Sequence, residues 1–332
     1  MEEKIITLGA GLSGIYSRLE NKQSIIIDKS DHITIPTRLI YIIKGRDRSY
    51  ACVKRKVDVI GKVTDIDFKN RKVVTDKDSY NYDKIIIALG SDLVSHSIVG
   101  DENMLKLQTI EDAETIRSRA QKAKIITIIG GGYLGVELAG LFPGKTINLI
   151  DANSRLLSRS NKKAALYSYN ILKSLNVNVV LNEKVTEVTA SSAITDKNSY
   201  KSDMTIYAGG ATGNKLVSKL NIKSSNSRII VNNYMRSSDY DDVYACGDSM
   251  SLNGKNNPMT AYIARKSGVV AMKNAMGHEV QFKSSESGNI LNINDHFVLF
   301  TENSFIRGFP VGMIKKYVNN KTDKSIAAMN KN

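Results

Sequence analysis

A strand, a glycine-rich turn, a helix and a second strand ending in aspartate occur twice in this 332-residue chain, 121 residues apart. The first copy begins with the apolar run Lys4-Ile5-Ile6-Thr7-Leu8 and turns through Gly9-Ala10-Gly11-Leu12-Ser13-Gly14. A helix is expected to about Asn21, then Ser24-Ile25-Ile26-Ile27 leads to Asp28. The second copy begins with Ile125-Ile126-Thr127-Ile128-Ile129 and turns through Gly130-Gly131-Gly132-Tyr133-Leu134-Gly135. Its helix is expected to about Leu141, and Thr146-Ile147-Asn148-Leu149-Ile150 leads to Asp151. A chain carrying two such βαβ units is expected to be α/β, with two parallel sheets.

The spacing of the glycines carries chemistry. The first glycine lets the strand turn sharply into the helix. The second brings bare backbone up to a pyrophosphate, and the third lets helix and strand pack closely. The helix N-terminus then faces the phosphates with the positive end of its dipole. An acid about 20 residues on accepts hydrogen bonds from the adenosine ribose. Asp28 lies 19 residues after Gly9, and Asp151 lies 21 after Gly130. Ala139 supplies a small residue four positions past Gly135, whereas Arg18 holds the matching place in the first copy. A carboxylate suits a free ribose 2′-hydroxyl, and no arginine directly follows Asp151, so NAD is preferred to NADP.

Other segments fit around these units. Val57 to Ile66 and Lys72 to Thr75 alternate as antiparallel strands do. Lys84 to Gly90 reads as a buried strand, Thr109 to Lys122 and Lys162 to Leu175 as helices, and Thr260 to Met276 as a further helix. His296 to Thr301 reads as a strand, and Val311 to Val318 as a short helix.

The apolar stretch Ile125 to Phe142 is broken by glycines and by Glu137, so it is read as strand, turn and helix rather than a membrane span. Met1-Glu2-Glu3-Lys4-Ile5 has no basic and apolar leader pattern, so no signal peptide is expected. Two cysteines and four scattered histidines argue against a disulfide framework or a zinc site. A cytoplasmic location is therefore expected, peripheral on the cytoplasmic membrane face if the tail binds lipid. The formal net charge of +14 favours acidic partners, but no nucleic-acid module is recognisable and no nucleic acid is expected.

With these residues in hand, the chain resembles the two-dinucleotide-binding-domain flavoproteins, the pyridine nucleotide-disulfide oxidoreductase superfamily, over roughly residues 4 to 280. Ile85-Ile86-Ile87-Ala88-Leu89-Gly90-Ser91 is similar to its second FAD-contacting motif, and Val243-Tyr244-Ala245-Cys246-Gly247-Asp248 to its late FAD motif. His32-Ile33-Thr34-Ile35-Pro36-Thr37-Arg38 resembles the segment beside the isoalloxazine, and Ala208-Gly209-Gly210 the segment lining the nicotinamide pocket. The run from Ile129 to Gly140 is closest to type II NADH dehydrogenases and sulfide:quinone oxidoreductases.

The resemblance implies two Rossmann-like domains and a small C-terminal α+β extension. FAD binding is expected at 1–108 with 240–280, NAD(H) binding at 109–239, and an interface or membrane-surface extension at 281–332. The implied FAD residues are Gly9, Gly11, Ser13, Gly14, Asp28 and Lys29 in the first unit, then Pro36, Thr37 and Val63. Ala88, Leu89, Gly90, Gly247, Asp248, Thr260 and Ala261 complete that set. The implied NADH residues are Gly130, Gly132, Tyr133, Leu134, Gly135, Asp151, Gly209 and Gly210. Glu137 is implied as the catalytic carboxylate, near flavin and nicotinamide.

The cysteine pair of the disulfide reductases is absent, because neither a C-x-x-C nor a C-x4-C occurs. What remains is hydride transfer from NADH to the flavin, followed by electron delivery to an acceptor. Quinone is the first acceptor to consider, but the quinone motif A-Q-x-x-x-Q-x-G reads Ala261-Tyr262-Ile263-Ala264-Arg265-Lys266-Ser267-Gly268 here, with both glutamines replaced. Phe305, Ile306, Phe309, Met313, Ile314, Tyr317 and Val318, beside Lys315 and Lys316, could face an anionic membrane or pack on the tail's own sheet. A small acidic electron carrier of the rubredoxin or ferredoxin type is the alternative partner, as is a sulfide:quinone oxidoreductase-like protein without redox cysteines. A homodimer is left open.

Overall fold

The computed structural model describes residues 3–95, 98–255, 257–283 and 288–331. Apolar runs form central strands because both faces of their sheets are covered. One five-stranded sheet is ordered Val243–Ala245, Lys84–Ile87, Ile5–Leu8, Ile25–Asp28, Val59–Ile60, all parallel. A second is ordered Met104–Lys106, Met204–Tyr207, Ile125–Ile129, Thr146–Asp151, Asn178–Leu181, again all parallel. The α/β class with two Rossmann-like sheets is as expected.

The helices, in chain order, are α1 (Leu12–Glu20), α2 (Leu39–Ile43), α3 (Ile110–Lys122), α4 (Tyr133–Ala139), α5 (Lys162–Ser174), α6 (Ala261–Ala275) and α7 (Phe309–Asn330). Thr109 and Asp112 form a reciprocal capping box that starts α3. Thr260 caps α6 by accepting from the Ile263 amide at 3.3 Å. A Cβ on Gly268 would lie 2.1 Å from the Ser13 carbonyl oxygen, so its absence lets α6 close onto α1.

The duplication extends beyond the βαβ unit. Val63–Asp67, Lys72–Thr75 and Ser79–Asn81 form one antiparallel meander, and Val185–Val188, Ser192–Thr195 and Ser199–Lys201 form its counterpart. Equivalent side chains make equivalent bonds. Asp76 accepts from the Lys62 amide at 2.8 Å and Asp196 from the Lys184 amide at 3.0 Å. Asp83 and Asp203 accept from the Lys4 and Lys124 amides at 2.7 and 2.8 Å.

Three expectations change. Val59–Ile60 runs parallel to Ile27–Asp28, so the stretch from Val57 to Ile66 is divided between a parallel sheet and a meander. Met104–Lys106 sits in the second sheet, and Val217, Ile229, Val231 and Met235 pack into the core around Ile6 and Ile86. The two units therefore exchange segments across the divisions expected at 108/109 and 239/240. The tail helix, read as Val311 to Val318, runs Phe309–Asn330. Its polar second half is held because Thr322, Ile326 and Met329 share a face and are buried, the last two in a cluster with Ile15 and Ile26.

Before α7, Asn289–Ile293, His296–Phe300 and Phe305–Arg307 form an antiparallel sheet. Leu291, Ile293, Val298 and Phe300 join the core of the second unit, and a Cβ on Gly140 after α4 would lie 2.9 Å from Ile293. Among the described residues, no helix is long and apolar enough to cross a membrane.

Candidate dinucleotide sites

The two glycine turns have the same geometry. Gly9 and Gly130 have φ of +95° and +107°, a region that disfavours any side chain. A Cβ on Gly14 would lie 1.9 Å from the Gly9 oxygen, and one on Gly135 would lie 1.8 Å from the Gly130 oxygen. These third glycines press the helix onto the turn. The middle glycines differ from both: a Cβ on Gly11 or Gly132 would meet nothing within 4 Å. The space in front of each turn is a cradle that fits a pyrophosphate, as the motif requires.

The first turn gathers residues from distant segments. A Cβ on Gly247, whose φ is +63°, would lie 2.6 Å from Ser13 Oγ, so the late motif folds directly against the first. Ser267 Oγ accepts from the Gly247 amide at 2.9 Å, and Ser249 Oγ accepts from the Gly90 amide at 3.0 Å. Ser91 Oγ donates to Asp248 at 2.9 Å. Burial pushes the Asp248 carboxyl above its usual range, against the pull of Ser91 and Arg228. Asp28 accepts from the Ala10 amide at 2.6 Å and pairs with Arg55 at 2.8 Å. Pro36 and Thr37 open a short 3-10 turn and are exposed, as is Lys29, while Val63 is half-buried at the start of its meander. Thr260 and Ala261 sit at the N-terminus of α6.

The second turn opens on a cavity of about 860 Å³. The second unit contributes Tyr133, Arg155, Arg159 and Lys163, the α6 end contributes Thr260 and Ile263, and the tail contributes Phe300 and Thr301. The cavity thus spans from the second fingerprint to residues expected at the flavin. Tyr133 stacks on Phe300 with ring centroids 5.9 Å apart, and its hydroxyl lies 2.8 Å from Ser160 Oγ. Asp151 accepts from the Gly131 amide and, at 2.7 Å, from the Asn153 amide. Arg155 is committed to the carbonyls of Leu157, Ser158 and Ser160, so it shapes the loop rather than facing a ribose phosphate. Gly209 and Gly210 are exposed after their strand, and Leu134 is half-buried in α4.

Glu137, expected beside flavin and nicotinamide, has its carboxylate bonded to the tail. It accepts from the Asn292 amide at 2.9 Å and from Lys315 Nζ of α7 at 3.4 Å. Burial pushes the Glu137 carboxyl up, opposed by Lys315. Burial also works against the Lys315 charge, but Glu137 and the adjacent Tyr41 outweigh it and hold the ammonium on. Lys315, expected beside an apolar tail face, is instead largely buried against Glu137, and nothing local in the sequence marks a lysine 178 residues away as a partner.

Because the folded Glu137 binds its proton more tightly than the unfolded chain does, its contribution to stability is full below about pH 4.3. That contribution is lost as pH rises through the elevated folded value. Lys315→Met should sharpen this trend. It leaves a buried carboxylate unpaired, costing about 3 kcal/mol at pH 8. The cost should shrink as acid neutralises Glu137. Urea unfolding midpoints from pH 5 to 8 check it; a deficit independent of pH would contradict the pairing.

Two other expectations about chemistry meet the structure here. Lys266 Nζ donates to the Lys283 carbonyl at 2.6 Å and lies over the Tyr262 and Phe282 rings. The two residues that replace the quinone-motif glutamines are thus bound up with each other and with the chain after α6. Cys246 is wholly buried and its thiol is pushed up to about 12 by that burial, which disfavours the reactive thiolate. Cys52 stands half-buried in the strand Cys52–Lys54.

Residues 4–268 match the pyridine nucleotide-disulphide oxidoreductase family. A nitric oxide reductase FlRd-NAD(+) reductase from Shigella boydii is 28% identical over 229 residues, 67% of this chain and 60% of that protein. The match therefore spans less than two thirds of that relative's length. The water-forming NADH oxidase from Lactobacillus brevis, solved with NADH, superposes with a TM-score of 0.79 at 24% identity, covering 90% of this chain and 75% of that one. The NDH2 of Plasmodium falciparum, also with NADH, gives 0.84 at 16% identity over 99% and 97%. The sulfide:quinone oxidoreductase of Aquifex aeolicus gives 0.86 at 14% identity over 99% and 92%. At these identities the structures share the fold, and the family match carries the assignment: the chain belongs to the pyridine nucleotide-disulphide oxidoreductase family.

Proposed function

We propose that the chain is an NADH dehydrogenase that delivers electrons at an anionic membrane surface, with quinone as the acceptor. FAD, when bound, supplies the acceptance of hydride from NADH and its release as electrons. The chain's own residues do the rest. Gly11 and the N-terminus of α1 receive the FAD pyrophosphate, Asp28 the adenosine ribose, and Asp248 the ribityl side. Gly132 and Asp151 would receive NADH, with the cavity that reaches Thr260 open to its nicotinamide half. Tyr133 and Phe300 wall that cavity against water. Glu137 and Lys315 are positioning residues that hold α4 against the tail.

The observation that carries the membrane reading is a stripe on α7. Phe309, Met313 and Tyr317 are 81%, 60% and 68% exposed, one helical turn apart, with Ile306 just before them. An apolar stripe beside Lys316, on a chain of net charge +14, suits the headgroup boundary of an anionic bilayer. Phe309→Ser, Met313→Ser and Tyr317→Ser together should abolish flotation with anionic liposomes, at least about 100-fold in partitioning. NADH oxidation with a soluble dye should persist. A wild-type protein that stays with the soluble fraction sinks the membrane reading.

A second reading is favoured by the bond of Lys266 to the Lys283 carbonyl in place of a quinone-motif glutamine, and by the relative named as a FlRd-NAD(+) reductase. It makes the acceptor a small acidic electron carrier, drawn by the positive charge. Reduction of such a carrier but not of a soluble quinone analogue would select it.

A further inference from the structure

The acids that end the second strand of each unit are held in different ways. Asp151 is satisfied within its own unit, by the Gly131 amide of the glycine turn and by Asn153, whose amide and Nδ2 both lie at 2.7 Å. Asp28 also takes local amides, from Ala10 at 2.6 Å and Ser30 at 3.1 Å. It has in addition a partner from outside the unit, Arg55 Nη2 at 2.8 Å.

The Arg55 side chain is 3% exposed, and its Nε and Nη1 are buried without a hydrogen-bond partner among the described residues. Burial draws its pKa down, and Asp28 is the first group to oppose that. The backbone that bears this guanidinium is bonded on both sides to the end of α7. Asn330 Oδ1 accepts from the Lys56 amide at 2.7 Å, and Asn330 Nδ2 donates to the Lys54 carbonyl at 3.0 Å. The Arg55 amide itself donates to the Asp31 carbonyl at 2.7 Å.

We propose that Arg55, held by Asn330 at the end of α7, is a positioning residue that fixes Asp28 toward the adenosine ribose and so makes the first site select FAD over FMN. The inference rests on assigning FAD to the first fingerprint. Asp28 and Asp151 accept equivalent amides from the glycine turn and from the residue two positions on, so the Arg55 guanidinium is what the first site has in addition.

The test strips flavin from the full-length protein and titrates it with FAD and with FMN, following flavin fluorescence. Arg55→Met should weaken FAD about 10–100-fold and leave FMN unchanged. Arg55→Lys should recover part of the loss. Asn330→Ala should shift FAD in the same direction by less, and it keeps the proposal testable if Arg55→Met does not fold. Arg55→Met binding FAD as tightly as wild type, while Asp28→Asn weakens it, overturns the role of Arg55 and leaves the FAD assignment standing. Equal loss of FAD and FMN also overturns it, as damage to the fold alone. If Asp28→Asn and Arg55→Met both leave FAD affinity unchanged, the assignment of FAD to this site fails.

Discussion

Gly132→Leu should give a folded, yellow protein that NADH no longer reduces. The backbone at Gly132 has φ −75° and ψ −170°, which any residue adopts, and a Cβ there would meet no atom within 4 Å. The side chain therefore adds little strain to the fold and enters the space where the NADH pyrophosphate would lie. Melting temperature and flavin content should match the wild type. Flavin reduction at fixed NADH should fall at least about 100-fold, some 2.7 kcal/mol. The flanking glycines could not serve this purpose, since a Cβ at Gly135 would strike the Gly130 oxygen at 1.8 Å. Stopped-flow reduction with parallel thermal melts checks it. Unimpaired reduction would place NADH elsewhere.

Gly11→Leu is the reciprocal experiment. Its backbone, at φ −70° and ψ −171°, is equally ordinary, and its front is equally open. The expected product folds, keeps its far-ultraviolet spectrum and comes off the column colourless, with FAD content below about a tenth of wild type. That corresponds to a loss of at least ~1.4 kcal/mol in cofactor binding. Flavin absorbance against protein concentration reads it directly. The two substitutions are chemically identical and differ by one repeat, so opposite outcomes assign a different ligand to each unit. A yellow Gly11→Leu with a colourless Gly132→Leu would reverse the assignment.

Most of the α/β framework was legible because its signals are local. Both βαβ units show an apolar run, glycines at fixed spacing and a terminal acid, and the structure places all of them as read. The meander repeat is also written in the sequence, in Thr75-Asp76-Lys77-Asp78-Ser79-Tyr80 against Thr195-Asp196-Lys197-Asn198-Ser199-Tyr200, outside the glycine turns. What escaped were long-range partners. Arg55 reaches Asp28, Lys315 reaches Glu137, and Asn330 brackets Arg55. None has a local pattern, because each depends on how a distant segment packs. The length of α7 escaped for the same reason: Ile326 and Met329 are sparse in a polar stretch, and only burial against α1 shows their use.

That helix also binds the two units together. Tyr16 of α1 and Glu137 of α4 are equivalent positions in the repeat, 121 residues apart. Each meets a side chain of α7, Ser325 at 2.8 Å from the Tyr16 hydroxyl and Lys315 at 3.4 Å from Glu137. The tail is thus part of the framework that joins the two repeated units, and its exposed stripe lies on the first two turns and the start of the third.

The most direct measurement is the visible spectrum of the purified protein before and after anaerobic addition of NADH. With FAD on the first turn and NADH on the second, the flavin bands should bleach when NADH is added, with NADH consumed in proportion to flavin. A protein that carries no flavin after reconstitution with FAD, or whose flavin NADH leaves unchanged, would contradict the account.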